Sequence, residues 1–171
     1  IFATQNNIIH FQKLFKQSKS LNQLGFKVSV GNVVWNQCKD ILTDDNTKTR
    51  LIYSSDINNN TLIIKKYKNN DKRNFINKVG IKRPMIVINR GYGVGEYKFN
   101  YCLINNNNEY LIENHLICIE CKDELPHNQL IANYNKILSS FSDQRTLEFI
   151  NVYFGNNAIN TTELNYILPI W

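Results

Sequence analysis

The sequence predicts an α+β fold, an antiparallel or mixed curved sheet followed by a C-terminal helical segment. Three observations carry this expectation. Strand-like apolar segments are concentrated between Phe26 and Glu120. Helical periodicity governs the chain only after Pro126. Strands first and helices last is the order of an α+β domain, not of an alternating α/β sheet. The 171 residues suffice for one core that needs neither disulfide nor metal.

Along the chain, Ile8, Ile9, Phe11, Leu14 and Phe15 recur at roughly helical spacing, so residues 1–25 read as a leading helix or a linker. Phe26 to Val30 alternates as a strand, Gly31 interrupts it, and Val33-Val34-Trp35 resumes it. Leu51-Ile52-Tyr53 is a short strand. Asn58-Asn59-Asn60 is a turn leading into the strand Thr61 to Ile64. Met85-Ile86-Val87-Ile88 is a continuous apolar run, the mark of a buried strand. Tyr97, Phe99, Tyr101 and Leu103 alternate with polar residues and Cys102, giving a half-buried strand with one aromatic face. Tyr110 to Ile112 and His115 to Glu120 continue the sheet. Leu130, Ile131, Tyr134, Ile137 and Leu138 then form a helical stripe. Asp143 is placed to cap a second helix, and Thr161 opens a third.

Composition narrows the function. With 43% hydrophobic and 20% charged residues the chain is globular. It has no apolar run near the roughly 18 residues that cross a bilayer, so no membrane partner is expected. The net charge of +6 favours polyanions, nucleic acid above all. Cys118 and Cys121 have C-x-x-C spacing, but a second ligand pair is missing and a strand would point them to opposite faces. Buried, reduced thiols are the reading, and they fit a cytoplasmic protein. The chain starts at Ile1 within polar sequence and stops on Leu168-Pro169-Ile170-Trp171, which reads as a piece of a longer protein.

The glycines of Gly91-Tyr92-Gly93-Val94-Gly95 lack the spacing and the following helix of a dinucleotide fingerprint. They read as a hairpin loop, or as a place where backbone approaches a ligand. Arg90 precedes them, at the end of the apolar strand. A guanidinium there is suited to forking onto phosphate or guanine, with a solvated strand-end residue as the alternative. Between Lys65 and Arg83 lie eight basic residues: Lys65, Lys66, Lys68, Lys72, Arg73, Lys78, Lys82 and Arg83. This stretch is expected to grip phosphates. Glu113 and His115 share a strand face and fit either a turn or an acid–base pair. Trp35 fits core or rim packing, with base stacking as the alternative. Catalytic motifs such as S-x-x-K, G-x-S-x-G and H-E-x-x-H are missing.

Five segments recur in a familiar order: Val28 to Asn36, Leu51 to Ile57, Arg83 to Arg90, Glu113 to Leu116, and Gly155 to Ile159. Together with the ending Thr162-Glu163-Leu164 to Leu168-Pro169-Ile170, they resemble the C-terminal target-recognition region of TaqI-like adenine-specific DNA methyltransferases of restriction–modification systems. The resemblance spans roughly Lys27 to Ile170. It implies a target-recognition domain over residues 26–171, double-stranded DNA as partner, and an N-terminal methyltransferase domain of the same protein. S-adenosylmethionine would bind in that other domain, which would methylate a flipped adenine. The N-P-P-Y-type and glycine-rich cofactor motifs are missing from this chain, so it is expected to hold no cofactor and to have no activity alone. The residues expected at DNA are Arg90, Tyr92, Lys82, Arg83, Lys72, Arg73, Lys65, Lys66, Asn32 and Trp35. A stand-alone DNA-binding or protein-interaction module is the alternative.

Overall fold

The computed structural model describes residues 5–67, 71–90, 98–154 and 159–171. The chain begins with α1 (Gln5–Phe15) and β1 (Phe26–Val30). Short strands follow: β2 (Leu42–Thr43), β3 (Thr49–Ile52), β4 (Ile57–Asn58), β5 (Thr61–Leu62) and β6 (Phe75–Ile76). Next come β7 (Met85–Asn89), β8 (Tyr101–Ile104), β9 (Tyr110–Ile112) and β10 (Leu116–Cys121). Helices α2 (His127–Phe141), α3 (Gln144–Phe149) and α4 (Thr161–Tyr166) close the chain. The fold is α+β, with sheets followed by C-terminal helices.

The strands form more than one sheet. One four-stranded sheet has the order β1-β10-β7-β8, with β7 antiparallel to both neighbours. The other has the order β2-β6-β3-β9 and is mixed, because β3 runs parallel to β9. β4 and β5 pair as a small hairpin. Its turn residues Asn59 and Asn60 have φ of 48° and 58°, a conformation that asparagine tolerates well. The strand expected to resume at Val33 does not. Val33 makes an isolated bridge to Glu113, and Trp35–Gln37 coils into a 3-10 turn. The strand Thr61 to Ile64 also shortens to its first two residues, leaving Ile64 69% exposed.

The described residues fall into two compact units, one drawn from residues 1–28 and 121–171, the other from 29–91 and 98–120. In the first, the leading helix packs with the C-terminal ones. Phe11 of α1 meets the rings of Phe149 and Tyr153 at 5.9 and 5.4 Å. Tyr134 of α2 packs on Phe26 at 5.5 Å, and its hydroxyl accepts from the Cys121 N–H at 3.2 Å.

In the second unit, β9 is buried on both faces. Tyr110 and Ile112 join a core with Val87, Cys102 and Leu116. Leu111 joins another with Leu51, Tyr53 and Ile76. The period-two geometry of a strand makes this division. In β8, Tyr101, Cys102 and Ile104 are all buried while Leu103 is half-buried, so the strand is more covered than its alternation implies. Tyr97 lies outside the described residues. Among the described residues, no helix is long and apolar enough to cross a membrane.

Asp143 caps α3 as expected, its carboxylate accepting from the Arg145 N–H at 2.9 Å. The Arg145 side chain and backbone N–H hold the Asp143 carboxyl at about 2, below the ordinary aspartate value. A depressed carboxyl stabilises the fold above its unfolded pKa, near 4, and loses that effect as pH falls through about 2. Asp143→Ala is expected to cost about 1 kcal/mol at neutral pH in thermal denaturation. The difference should shrink between pH 4 and pH 2. A constant difference would remove the ionised cap from the account.

Candidate nucleic-acid interface

Strand β7 frames the candidate site. Ile86, Val87 and Ile88 have no exposed surface, because β10 and β8 flank the strand and both its faces are covered. That continuous apolar run is why the strand is held rigidly. At its end the Arg90 backbone N–H donates to the His115 carbonyl at 3.2 Å. The Arg90 side chain is exposed and meets no partner among the described residues.

His115 belongs to the turn between β9 and β10. The Glu113 carboxylate, 1% exposed, accepts from the His115 backbone N–H at 3.1 Å and pairs with its Nδ1. Gly31 brings a second segment to this turn. A Cβ on Gly31 would stand 2.2 Å from the Glu113 carbonyl oxygen, so only glycine permits the approach. The Asn114 N–H then donates to the Val33 carbonyl at 2.9 Å. Asn32, between Gly31 and Val33, is exposed beside the same turn. The structure thus gathers Arg90, Asn32, Glu113 and His115, which are far apart in sequence.

A second cluster adjoins Glu113 through the β3–β9 register, since the Glu113 N–H donates to the Ile52 carbonyl at 3.0 Å. Asp56 is fully buried. Its carboxylate accepts from the Tyr53 N–H at 3.0 Å and the Tyr67 hydroxyl at 2.9 Å, and it meets Arg50 Nη2 at 3.4 Å. Burial pushes both the Tyr53 and Tyr67 phenols up, so they stay neutral donors.

Lys72 fills the space between these rings. Its Nζ lies 4.1 Å from the Tyr53 centroid, 4.5 Å from Tyr67 and 5.8 Å from Trp35. Burial holds this ammonium below the ordinary lysine value, while Glu113 and Asp56 pull it upward. Trp35 therefore packs against cations at the rim, with Lys39 also 5.8 Å from its centroid.

The remaining expected residues are dispersed. Arg73 pairs with Asp44 at 3.2 Å. Arg83, at the other end of β7 from Arg90, lies 3.8 Å from Glu120. Lys65 and Lys66 are exposed after β5. Lys82 is exposed and lines a groove of about 760 Å³, with Lys48, Arg50, Phe75 and Asn107 among the other lining residues. Tyr92, the glycines at 91, 93 and 95, Lys68 and residues 155–158 lie outside the described residues.

Among the described residues, no group of three or more His, Cys, Asp or Glu is placed to hold a metal. Cys118 and Cys121 are both buried, and burial pushes the Cys118 thiol up to about 12. Tyr53 and Asp56 lie in the segment Leu51 to Ile57 but were given no site role by sequence reasoning, and Tyr67 and Arg50 were not singled out at all. Their only signal is a buried-type tyrosine and an acid in the interval Tyr53 to Asp56, which reads as a strand end. Comparison with models of protein families and with curated proteins returned no match for this chain.

Lys72→Ala is expected to lower stability by about 1–2 kcal/mol in urea denaturation, the worth of a desolvated cation on aromatic faces. It should leave the salt dependence of DNA binding unchanged, since this ammonium already has partners. A slope that flattens by about one would put Lys72 on a phosphate instead.

Proposed function

We propose that this chain is the DNA target-recognition part of a site-specific adenine-N6 DNA methyltransferase of a restriction–modification system. The observation that carries the reading is Arg90. An exposed guanidinium with no partner among the described residues stands at the end of a strand whose residues Met85 to Ile88 are buried. A bidentate contact to a base edge tolerates little misplacement, so rigid support with open access suits base readout. Lys65, Lys66 and Lys82 are exposed cations suited to phosphates, which position the duplex without reading it.

The adenine-methyltransferase part of the reading rests on the ordered segments of the sequence. Residues from four of them, Asn32, Tyr53 to Asp56, Arg90 and Glu113 to His115, meet in one unit. That convergence supports treating Asn32, Arg90 and His115 as one functional surface, held from beneath by the buried Tyr53, Asp56 and Glu113. In this reading methyl transfer and S-adenosylmethionine belong to a separate catalytic domain, the partner is double-stranded DNA, and the compartment is the cytoplasm.

The test begins by selecting a preferred duplex from a randomised pool. Arg90→Ala is then compared with the unaltered chain on the selected and a scrambled duplex. The substitution is expected to cost about 1–3 kcal/mol on the selected site and much less on the scrambled one. Equal losses on both would assign Arg90 to the phosphate backbone, and no loss on either would remove it from the interface.

A further inference from the structure

The groove that Lys82 lines is separate from the Arg90 turn, and its chemistry is uneven. Lys48, Arg50, Lys78 and Lys82 face the single carboxylate of Glu109 among the lining residues. That carboxylate is already engaged by the Gly80 N–H at 3.0 Å and by the Thr49 hydroxyl at 3.4 Å. Lys48, Lys78 and Lys82 are exposed and form no salt bridge among the described residues. The groove is therefore an anion site by charge.

Charge is not all it offers. Arg50 and Phe75 are register partners on β3 and β6, so their side chains share a face. The Arg50 guanidinium lies over the Phe75 ring, 5.6 Å from its centroid; the Arg50 side chain is only 11% exposed, while Phe75 is half-buried. Arg50 is itself fixed from below by buried Asp56 at 3.4 Å. The guanidinium backs the ring, and the partly exposed ring is the surface on which a base can stack. Asn77, Asn107 and Asn108 add exposed amides that bond no other side chain among the described residues. Each amide offers both a donor and an acceptor, which a base edge needs and a bare phosphate does not.

We propose that this groove binds one unpaired nucleotide, its phosphate on Lys48 and Lys78 and its base on the Phe75 ring within reach of the asparagine amides. A base inside a duplex presents neither a free face nor a free pairing edge, so the ligand must be outside the stack. The inference deepens the DNA-binding reading and rests on it only in taking nucleic acid as the partner.

The test compares binding of a fully paired duplex, the same duplex with one bulged nucleotide, and the corresponding nucleoside monophosphate. Three proteins are used: the unaltered chain, the Lys48→Ala/Lys78→Ala double variant and the Arg90→Ala variant. Both lysines are exposed, so the double variant should fold, and its thermal melt is the control. The unaltered chain should prefer the bulged over the paired duplex by about tenfold, the worth of one stacked base. The double variant should lose that preference, and Arg90→Ala should keep it. Saturable binding of the monophosphate, lost in the double variant, would place a free nucleotide in the same groove and support the proposal. Equal binding of bulged and paired duplexes would overturn the groove while leaving DNA recognition intact. Binding of neither duplex would count against DNA recognition itself. An undiminished bulge preference in the double variant would move the nucleotide site elsewhere.

Discussion

The second unit is organised around one buried carboxylate. Asp56 has no exposed surface, and an ionised group in that position is costly unless its oxygens are satisfied. The Tyr53 N–H, the Tyr67 hydroxyl and Arg50 satisfy it. Each of these partners then does something further. Tyr53 and Tyr67 become two walls of the space that holds Lys72. Arg50 becomes the guanidinium over Phe75 at the groove. The demand of one carboxylate thus fixes an aromatic cluster on one side and the guanidinium that backs Phe75 on the other.

Glu113 is the second constraint of the same kind. It is buried where β9 ends, and it orders the turn that carries His115 and supports the Arg90 backbone. Gly31 lets the chain after β1 press onto that turn. The candidate readout surface is therefore assembled by backbone contacts, with exposed side chains left over to act. The same economy explains why basic residues adjacent in sequence differ so much. Lys72 is absorbed by rings and Arg73 by Asp44, while Lys65 and Lys66 remain at the surface.

The elements whose signal is local were legible in the sequence. The apolar run Met85 to Ile88 is a buried strand, Asp143 caps α3, and Leu130, Tyr134 and Ile137 form the buried stripe of α2. What was not legible depends on long-range pairing. Nothing in Leu51 to Ile52 announces a parallel partner at Leu111 to Ile112, yet that pairing creates the second sheet. Val33 to Trp35 has strand propensity, but tertiary packing coils it so that the Trp35 ring faces Lys72. The groove was invisible for the same reason. Its cations come from segments near Lys48 and Lys78, and only the β3–β6 pairing brings these together.

In the proposed function, the turn between β9 and β10 and the surface around it are where DNA is met. Amide chemical shifts, followed by NMR as a preferred duplex is added, measure that directly. The account predicts the largest changes at Arg90, Asn32, Asn114 and His115, with smaller ones at Lys65, Lys66 and Lys82. Changes confined to α2 and α3, or none at saturating duplex, would contradict it.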